Sequence, residues 1–436
     1  MSFLRILYWF RRDLRFRDNR ALAEAISRAD EVVAIYIIDT DLMRDLGMNS
    51  IDARFHFLID VLKELSRRIE LHTLYGRTRD VVEHLLGRYH FDALYTAAPL
   101  SWSDEAKVRE VEGLCLSMGI RFHQVVDNVL VDPSLIHSAP NFSSFYRQWV
   151  EIIDSRIVGE INTGKFRRVD ESNVDELAAK HGWKAPRAAH WKADWVEYRL
   201  RTFNFAEYDR LKDYPYLDGT SKLSPYINLG VVSVRELYRA VSEQSKEFVR
   251  QLAWREYYYH LKRRYPFMRS LELKPHMRRI EWENRETLIE LFKEGKTGYP
   301  IIDAGIRQLR MENWMHNRVR LIVSSFLVKD LHVDWRIGEE FFKKYLIDYD
   351  EPLNIGNWQW AASVGVDPLP LRIFNPIKQS ERYDPMCIYI KKYVPELEGY
   401  ECRELHNPLR YRLKGYHEPI VDHYQRVKEF KNRIRS

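Results

Sequence analysis

The first 127 residues alternate short apolar runs with amphipathic stretches, and this alternation limits the available folds more than any other feature. Residues 31–38 read EVVAIYII, an unbroken apolar run that is typical of a strand buried on both faces. Strands that alternate with helices form a parallel sheet with helices on both faces. We therefore predict a doubly wound parallel sheet. The predicted strands are residues 6–10, 31–38, 71–75, 93–97 and 121–126, and the predicted helices are 19–28, 51–70, 81–88 and 104–118.

The rest of the chain divides into two further parts. The sequence after residue 127 is rich in turn residues, as in VDPSLIHSAPNFSSF and GWKAPRAAH. After Trp195 the pattern is helical almost throughout, with helices predicted at 248–264, 285–294, 301–310 and 339–345. We therefore predict an α/β domain at 1–127, an interdomain linker at 128–194 and an all-α domain at 195–436. The glycine fingerprint of a standard dinucleotide site is absent from the α/β domain.

Charge and composition indicate a negatively charged partner. The chain has 69 lysines and arginines against 63 acidic residues, and its basic residues cluster in FRRDLRFRDNR and HLKRRYPFMRS. Aromatic residues make up 13% of the chain, and a basic surface with interleaved aromatics is typical of nucleic-acid binding. A solvated surface of paired charges explains the same composition equally well.

Cysteine usage and hydropathy indicate where the protein works. Cys115, Cys387 and Cys402 have no metal-type spacing, so we expect neither a metal site nor a disulfide framework. The apolar run at the N-terminus is too short for a signal peptide, and no stretch is long enough to span a membrane. We therefore expect a cytoplasmic protein, associated with the nucleoid if the source is prokaryotic.

Residues 296–374 combine glycines, prolines, acids and tryptophans where an ordinary core would have aliphatic side chains. A helix is predicted from Met315 onward. Its apolar face, which we expect to be buried, comprises Val319, Ile322, Val323, Phe326 and Leu327. Its other face groups Trp314, Asn317, Arg318 and Leu321, at spacings of three and four residues. Such a mixed face fits the wall of a cavity, or the outer side of a surface helix.

Two earlier segments contain groups that bind phosphates and bases. DGTSKLSPYINLG, at residues 218–230, places hydroxyl groups and backbone amides just before a helix, which is an arrangement that binds phosphate. The donors are Thr220, Ser221, Lys222 and Ser224, and a simple N-cap would use the same residues. Along the predicted helix 248–264, the spacing of three and four residues groups Gln251, Trp254, Arg255 and Tyr258. A core stripe of aromatic residues would have the same pattern.

These segments, in this order, resemble the photolyase and cryptochrome family. The motifs are TSKLSPYINLG, WREYYYH, EGKTGYPIIDAGIRQL, NWMHNR, DWR, NWQWAA and RIFNP, preceded by WFRRDLRFRDNRAL near the N-terminus. The resemblance covers nearly the whole chain and is nearest to the class I photolyases for cyclobutane pyrimidine dimers. It implies an α/β antenna domain, a linker, and a helical domain that binds FAD, which is reduced in the active form.

The resemblance assigns a set of residues to FAD. Those expected to hold it are Tyr208, Thr220, Ser221, Lys222, Leu223, Ser224, Arg320, Asp348, Asp350 and Asn354. Arg320 would pair with Asp348, and Asn354 would face the flavin N5, where an amide can hydrogen-bond the protonated nitrogen. A chain of tryptophans that reduces the flavin photochemically would consist of Trp358, Trp335 and Trp282. Without the resemblance, the last two are simply core aromatics.

The resemblance also implies the substrate and the reaction. Excited reduced FAD would transfer an electron to a pyrimidine dimer flipped out of damaged DNA, the dimer would open, and the electron would return. The expected DNA and lesion contacts are Gln251, Trp254, Arg255, Tyr258, Asn317, Arg318, Leu321 and Trp360. Trp254 and Trp360 would stack on the lesion, and Arg318 would meet a phosphate. The expected catalytic residues are Asn354, Gln251, Asn317 and the three chain tryptophans.

Three positions bear on which member of the family this is. Photolyases for the (6-4) lesion have two pocket histidines where this chain has Asn317 and Leu321, which argues against that activity. The nearest dimer photolyases usually have glutamate and methionine where this chain has Gln251 and Leu321, which leaves repair efficiency open. A cryptochrome-like blue-light receptor is the alternative, although Asn354 and the lack of a long tail disfavour it. A plain α/β nucleotide-binding protein would not explain residues 200–380.

A second, light-harvesting chromophore is expected in or near the α/β domain. It would be a flavin, a deazaflavin or a folate, as in other members of the family. Arg11 and Arg54 occupy positions similar to those that contact the pigment, and surface salt bridges explain both arginines equally well. The family suggests a monomer.

Overall fold

The computed structural model describes residues 4–159, 161–183, 191–366 and 371–434. Pro368, Pro370 and most of GWKAPRAAH lie outside these residues. The strands are β1 Arg5–Phe10, β2 Glu31–Asp39, β3 Leu71–Gly76, β4 Ala93–Ala97 and β5 Arg121–Val125. The helices are α1 Arg20–Arg28, α2 Thr40–Asp45, α3 Ala53–Ser66, α4 Thr78–Arg88, α5 Trp102–Ser117, α6 Phe142–Glu151, α7 Val174–His181, α8 Trp195–Thr202, α9 Tyr208–Leu211, α10 Ser224–Asn228, α11 Val234–Val241, α12 Lys246–Arg264, α13 Glu286–Glu294, α14 Pro300–Glu312, α15 Asn317–Lys329, α16 Trp335–Tyr345, α17 Glu351–Ala361, α18 Pro376–Tyr383, α19 Ile388–Tyr393, α20 Cys402–His406 and α21 His423–Arg433. None of these described helices has the length and apolar character needed to cross a bilayer.

The five strands form one parallel sheet in the order β3-β2-β1-β4-β5. In the central strand, Leu7 lies opposite Val33 on one side and Leu94 on the other, and all three side chains are fully buried. The strand order reverses beside β1, as it does in doubly wound folds, where ligands bind at the carboxyl ends of the strands. The predicted doubly wound parallel sheet is confirmed.

The predicted strands all end within one residue of the observed ones. The sequence pattern missed α2, which Asp39 caps by accepting a hydrogen bond from the N–H of Leu42 at 2.6 Å. It also missed α6 and α7, which lie in the predicted linker. Helix α7 begins with a capping box formed by Asn173 and Glu176, a signal that can be found in sequence.

The described residues form two compact units whose chain segments interleave. The first unit includes residues 1–138, 145–205 and 221–260, and therefore the whole sheet and most of the predicted linker. The second includes residues 139–144, 206–220 and 261–436. The units do not follow the expected boundaries at 127 and 194, which remain a prediction.

Buried ion pairs connect distant segments within the first unit. Arg235 on α11 is fully buried, with Nε 2.8 Å from Asp18 Oδ2 and Nη2 2.9 Å from Asp127 Oδ1. Arg15 donates to the other oxygen of Asp127 at 2.6 Å. Each buried charge has a hydrogen-bonded partner of opposite sign, which is the condition under which buried charges are tolerated.

Helix α15 is central to the second unit, where it contacts α14, α16, α17, α18 and α21. All five residues of its predicted apolar face are at most 1% exposed, so that prediction is confirmed. The helix begins at Asn317 after the N-cap His316, not at Met315. Trp314 therefore precedes the helix, and it is buried, so it does not share the outer face. Every residue from 322 to 329 is buried, so the surface-helix alternative is wrong for this half.

Candidate active site

Helix α17 presents three of the predicted residues at different degrees of burial. Asp350 is its N-cap and accepts a hydrogen bond from the N–H of Leu353 at 3.4 Å. Asn354 is 8% exposed, and Trp358, one turn later on the same face, is 2% exposed. Trp360 lies on a different side of the helix and is half-buried. One helix thus directs an amide and an indole to the interior and a second indole towards the surface.

Glu339 on α16 holds the carboxamide of Asn354 in one orientation. Nδ2 of Asn354 donates to the main-chain oxygen of Glu339 at 3.1 Å and to its Oε1 at 3.0 Å. The hydroxyl of Tyr349 donates to the same Oε1 at 3.2 Å. Two acceptors on one side require the NH2 end of the amide there. Oδ1 of Asn354 accepts no hydrogen bond from the described residues, so it is left for a donor that approaches from the opposite side.

The carboxyl group of Glu339 changes charge near neutral pH. Burial raises its pKa to about 7, although the hydrogen bonds from Asn354 and Tyr349 act in the opposite direction. The main-chain oxygen of Glu339 binds the amide whether or not the carboxyl is ionised. Protonation of Glu339 therefore alters the charge beside Asn354 without releasing the amide.

An ion pair joins α15 to the segment before α17. Nη2 of Arg320 lies 2.8 Å and 3.0 Å from the two carboxylate oxygens of Asp348, and Nε donates to the main-chain oxygen of Met315 at 2.8 Å. The side chain of Asp348 is only 4% exposed. The pairing of Arg320 with Asp348 that the sequence led us to expect is present, and it fixes both side chains beside the helix with Asn354.

Helices α16 and α17 approach closely at a glycine. A Cβ atom on Gly338 would lie 2.2 Å from Cη2 of Trp358 and 2.6 Å from Cδ2 of Leu327, so no other residue fits without a shift. The ring of Phe342 meets Trp358 edge-on, with centroids 4.9 Å apart. Trp335 lies three residues before Gly338, on the same side of α16, and is 1% exposed. Two of the three chain tryptophans therefore belong to one packed helix interface.

The two buried indoles differ in the partner of their N–H groups. Nε1 of Trp335 donates to Oε1 of Glu272 at 3.2 Å, and Arg336 pairs with the same carboxylate at 2.9 Å. Nε1 of Trp358 is buried and finds no acceptor among the described residues. A buried N–H without a partner costs on the order of 1–3 kcal/mol, which the packing of the Trp358 ring against Phe342 and Gly338 has to offset.

Trp282, the third tryptophan, is half-buried. Its ring stacks on Phe430 of α21, with centroids 6.3 Å apart. The N–H of the next residue, Glu283, donates to the main-chain oxygen of His332 at 2.9 Å. This bond brings the segment beside the residues that precede Trp335. Of the three chain tryptophans, Trp335 and Trp358 are thus buried and Trp282 reaches the surface.

The first turn of α15 is the more open part of the site. Asn317 is exposed, and Arg318 and Leu321 are half-buried. Nη2 of Arg318 lies 2.8 Å from Oδ1 of Asp213, and its guanidinium lies 4.3 Å from the ring centroid of Tyr383. A phosphate at Arg318 would therefore share or replace Asp213 as its partner.

Trp360 has two neighbours in the RIFNP segment. The guanidinium of Arg372 lies 5.1 Å from its ring centroid, and the ring of Phe374 lies 6.0 Å away. The preceding residue, Gln359, is fully buried and donates to the main-chain oxygen of Leu271 at 2.9 Å. These contacts orient a large aromatic face at the surface of the second unit.

Tyr208 and Thr220 lie at the two ends of a short segment of the second unit that contains α9. Tyr208 begins α9 and is half-buried, and so is Thr220. A Cβ atom on Gly219 would lie 2.4 Å from the main-chain oxygen of Leu211. Only glycine permits this close return of the chain beside Thr220.

Residues 221–224, in the first unit, have an unusual backbone. Lys222 has φ of 54°, which is uncommon for a residue other than glycine. The N-cap of α10 is Leu223, which supplies no side-chain cap, while Ser221 Oγ accepts from its N–H at 3.4 Å. Ser224 is exposed. Strained backbone often lies at ligand sites, and phosphate binding by these residues stays a prediction.

Helix α12 carries the remaining predicted lesion contacts. Gln251 and Trp254 are half-buried. Tyr258 is 4% exposed, and its ring packs 6.1 Å from that of Trp254. Nη1 of Arg255 donates to the main-chain oxygen of Asn128 at 2.9 Å. In this structure Tyr258 and Arg255 therefore support the exposed residues of the helix.

The two arginines expected at an antenna pigment have partners in their own unit. Arg11 donates to Oγ1 of Thr96 at 3.1 Å and to the main-chain oxygen of Ala97. Arg54 is 7% exposed and its Nη2 lies 2.6 Å from Oδ2 of Asp52. These contacts support the alternative that both arginines are structural.

A separate cleft of about 560 Å³ lies in the second unit. Its lining mixes acidic, basic and aromatic side chains and includes none of the predicted site residues. The lining residues are Glu290, Lys293, Glu294, Arg310, Arg336, Ile337, Glu340, Phe341, Lys344 and Tyr345.

Known proteins are similar to this sequence over almost its full length. The family model described as DNA photolyase matches residues 6–160, and the model described as the FAD binding domain of DNA photolyase matches residues 248–436. The deoxyribodipyrimidine photo-lyase of Synechococcus sp. is 32% identical over 98% of this chain and 95% of its own length, and that of Vibrio cholerae is 33% identical over 96% and 97%. The chain belongs to the DNA photolyase family.

Solved structures of this family agree with the fold. An archaeal photolyase from Sulfolobus tokodaii, crystallised with two FAD molecules, is 34% identical and superposes with a TM-score of 0.90 over 99% of this chain and 100% of its own. A class III photolyase from Agrobacterium tumefaciens is 26% identical, with a TM-score of 0.87 over 99% and 97%. The recognition of the family and the expectation of FAD are therefore confirmed.

The residues of the second unit suit the flavin of a photolyase. Reduced flavin presents an N–H donor at N5, and Oδ1 of Asn354 is an acceptor whose orientation Glu339 fixes. Arg320, Asp348 and Asp350 supply charged groups close to the same helix. Sequence reasoning missed Glu339, because an acidic residue on a helix with exposed lysines gives no sign that it is buried against an amide.

Proposed function

We propose that this photolyase repairs cyclobutane pyrimidine dimers in DNA under light. The observation that supports this most directly is the arrangement on α17. Asn354 presents an oriented amide and Trp358 a buried indole on one side, while Trp360 presents a half-buried indole on another. A single rigid helix thus combines groups suited to a flavin with a stacking surface suited to a flipped base.

The protein residues would bind and orient the reactants. Reduced FAD, when bound and excited, supplies one electron to the dimer and takes it back after the ring has opened. Oδ1 of Asn354 would accept a hydrogen bond from N5–H of the flavin. Arg320 and Asp348 would position the flavin ring and the ribose region of FAD. Tyr208 and residues 220–224 would hold the phosphates.

The three tryptophans would conduct an electron inward from the surface. Trp358 and Trp335 are buried, whereas Trp282 is half-buried and therefore accessible to a reductant in solution. This arrangement would return an oxidised cofactor to its active state.

The lesion would be recognised by stacking and by hydrogen bonds. Trp254 and Trp360 have half-buried aromatic faces on which a dimer could stack. Gln251 and Asn317 would bind the polar edges of the bases, and Arg318 would bind a phosphate near the lesion.

A second chromophore would broaden the light that the enzyme can use. We place it in the α/β part, as a flavin, a deazaflavin or a folate. The Sulfolobus tokodaii photolyase, which contains two FAD molecules, supports the first of these. An absorption spectrum of the purified protein, with chromatography of the released chromophores, identifies the pigment.

The repair proposal is tested by illuminating the reduced holoprotein with DNA that contains a single thymine dimer. We expect the ultraviolet absorbance of intact thymines to return in the light and not in a dark control. If a reduced, FAD-loaded preparation leaves the dimers intact, the blue-light receptor alternative takes the place of this proposal.

A further inference from the structure

Three side chains with soft ligand atoms meet in the second unit, apart from the site described above. Cys387, Cys402 and His406 place their Sγ and ring nitrogen atoms within 4.8 Å of one another. Sγ of Cys387 lies 3.5 Å from Nε2 of His406. Thiolate and imidazole are the ligands that Zn²⁺ prefers in proteins.

The local structure brings these three residues together from the start of α19 and from α20. Cys402 and His406 are four residues apart on α20, so their side chains lie on the same face. Cys387 precedes α19 with φ of 53° and ψ of 25°, a left-handed conformation that is rare for cysteine. Its side chain is fully buried and directed at His406. Strain of this kind persists where the surroundings require one side-chain position.

A further contact orients the imidazole in the way seen in metal sites. Oγ of the buried Ser380 lies 2.7 Å from Nδ1 of His406. Metal-bound histidines commonly donate the hydrogen of their second nitrogen to such an oxygen, which fixes the ring and its tautomer. Nε2 then faces Cys387, and the main-chain oxygen of Pro385 lies 3.4 Å from it.

The neighbouring acid is already engaged. Asp384 accepts hydrogen bonds from the N–H groups of Tyr389 and Ile390 at 3.0 Å and 2.9 Å, which cap α19. Its carboxylate therefore shapes the turn that contains Cys387. Cys402 is half-buried, so the cluster is open to solvent on that side and a water can complete a four-coordinate ion.

A second group of similar geometry lacks these features. Glu283, His332 and Glu429 also lie within 4.8 Å of one another, but two arginines already neutralise them. Arg426 lies 2.9 Å from Glu283 and 2.6 Å from Glu429, and Arg433 lies 2.7 Å from Glu283. Guanidinium groups at this distance repel a cation.

We propose that Cys387, Cys402 and His406 bind one zinc ion through two thiolates and Nε2, with water as the fourth ligand. Binding releases the two thiol protons to solvent, and no electron is transferred. The ion would connect α19 and α20, and through Ser380 it would be supported by α18. The site would thus be structural, and it would fix the C-terminal part of the helical unit.

The test uses the untagged, FAD-loaded full chain, produced in zinc-supplemented medium and purified with a phosphine reductant that does not bind metals. Zinc is measured by mass spectrometry and FAD by absorbance in the same sample. The variants are Cys402→Ser, Cys387→Ser and, as matched control, Cys115→Ser, which removes the buried cysteine of the first unit. We expect about one zinc per chain in the wild type and in Cys115→Ser. We expect a zinc content lower by a factor of roughly ten or more in Cys402→Ser and Cys387→Ser.

FAD content shows whether each variant has folded, and thermal unfolding provides a second readout. A chelator should lower the melting temperature of the wild type and of Cys115→Ser but not that of Cys402→Ser. The proposal is overturned if zinc stays below about 0.1 per chain in the wild type, or if Cys402→Ser retains as much zinc as the control. A wild type that is zinc-free and that forms a disulfide between Cys387 and Cys402 when purified without the reductant would overturn it in favour of a redox-active pair.

Discussion

The orientation of one amide, that of Asn354, fixes which of its atoms would face a flavin bound in the second unit. Glu339 accepts two hydrogen bonds from the NH2 group of Asn354, so the amide oxygen faces the opposite side. An aspartate at position 354 would place a second carboxylate against Glu339, and like charges at this distance disfavour ionisation of one of them. The amide is therefore suited to this position by its neighbour as well as by the proposed contact with the flavin.

Glu339→Gln should change how stability depends on pH. The pKa of Glu339 is raised by burial from its ordinary value of 4.5 to about 7, so the folded protein keeps a proton that the unfolded chain has lost. Stability of the wild type should then fall as pH rises from 4.5 to 7, by on the order of 2 kcal/mol. The variant should lack this fall, because glutamine does not titrate. Thermal unfolding between pH 5 and pH 8 measures the difference.

Glu340→Gln is the matched control for this experiment. It removes the adjacent acid, which forms surface pairs with Lys343 and Lys344 at 3.5 Å. We expect its pH trend to keep the direction of the wild type with a slightly smaller fall, because the charge of Glu340 contributes a little to the raised pKa of Glu339. Equal trends in all three proteins would contradict the role given to Glu339.

Gln251→Glu alone should destabilise α12, whereas together with Glu247→Gln it should raise the quantum yield of dimer repair. Nε2 of Gln251 donates to Oε1 of Glu247 at 2.8 Å, one turn earlier on α12. A second carboxylate would repel Glu247 at this spacing and cost about 0.2–0.5 kcal/mol. Glu247→Gln relieves the repulsion. We expect Gln251→Glu with Glu247→Gln to raise the quantum yield of dimer repair above that of Glu247→Gln alone, and a lower yield would show that the amide suits this pocket better.

Sequence identified residues that resemble a known motif and missed those that act through them. Arg318 was found because it lies in the motif NWMHNR, and Asn354 because the resemblance places it at the flavin N5. Their partners Glu339 and Asp213 lie elsewhere, in segments whose pattern is that of ordinary charged helix or turn. Spacing along the chain contains no information on which acid meets which amide across two helices.

At the scale of elements, the contact between α16 and α17 depends on the lack of a side chain at position 338. Gly338→Ala would place a methyl group 2.2 Å from Trp358. The helices would have to separate, and we expect a loss of about 1–3 kcal/mol in the free energy of unfolding. Chemical denaturation of the holoprotein measures this loss.

Gly113→Ala provides the opposite expectation on another helix. Gly113 lies within α5, and a Cβ atom there would meet no atom within 4 Å. Alanine should stabilise the helix by about 0.5–1 kcal/mol. If both substitutions change stability in the same direction, packing at Gly338 is not the cause.

Periodicity located the elements well where burial repeats regularly. The strands of the sheet are runs of apolar residues, and their ends were predicted within one residue. Helix α15 was predicted to begin two residues early, because the buried Met315 continues the helical spacing of its apolar residues. His316 is instead the N-cap, and the helix begins at Asn317. The helices within residues 128–194 were missed because turn residues surround them, and only the capping box of α7 marks one of them.

At the scale of the whole molecule, binding of damaged DNA should depend strongly on salt. Phosphate contacts release counterions, so affinity falls as salt rises. Arg318→Ala should weaken binding to damaged and undamaged DNA alike and reduce the slope of log affinity against log salt by about 1. The control is Arg67→Ala. Arg67 is an exposed arginine at the C-terminal end of α3, where it pairs with Glu64, and its removal should leave the slope unchanged. Titration of labelled DNA at several salt concentrations compares them, and equal slopes would remove Arg318 from the interface.

The two buried indoles of the proposed tryptophan chain have unequal surroundings at their N–H groups. When an indole loses an electron it becomes a cation, and its N–H becomes more acidic. Trp335 has the carboxylate of Glu272 at its N–H, whereas Trp358 has no acceptor among the described residues. If the chain conducts as proposed, oxidised Trp335 would have Glu272 as an acceptor for its N–H proton and would become a neutral radical, whereas oxidised Trp358 would keep its proton. The guanidinium of Arg336, 4.6 Å from the ring centroid of Trp335, would favour that loss because it opposes a positive charge on the ring.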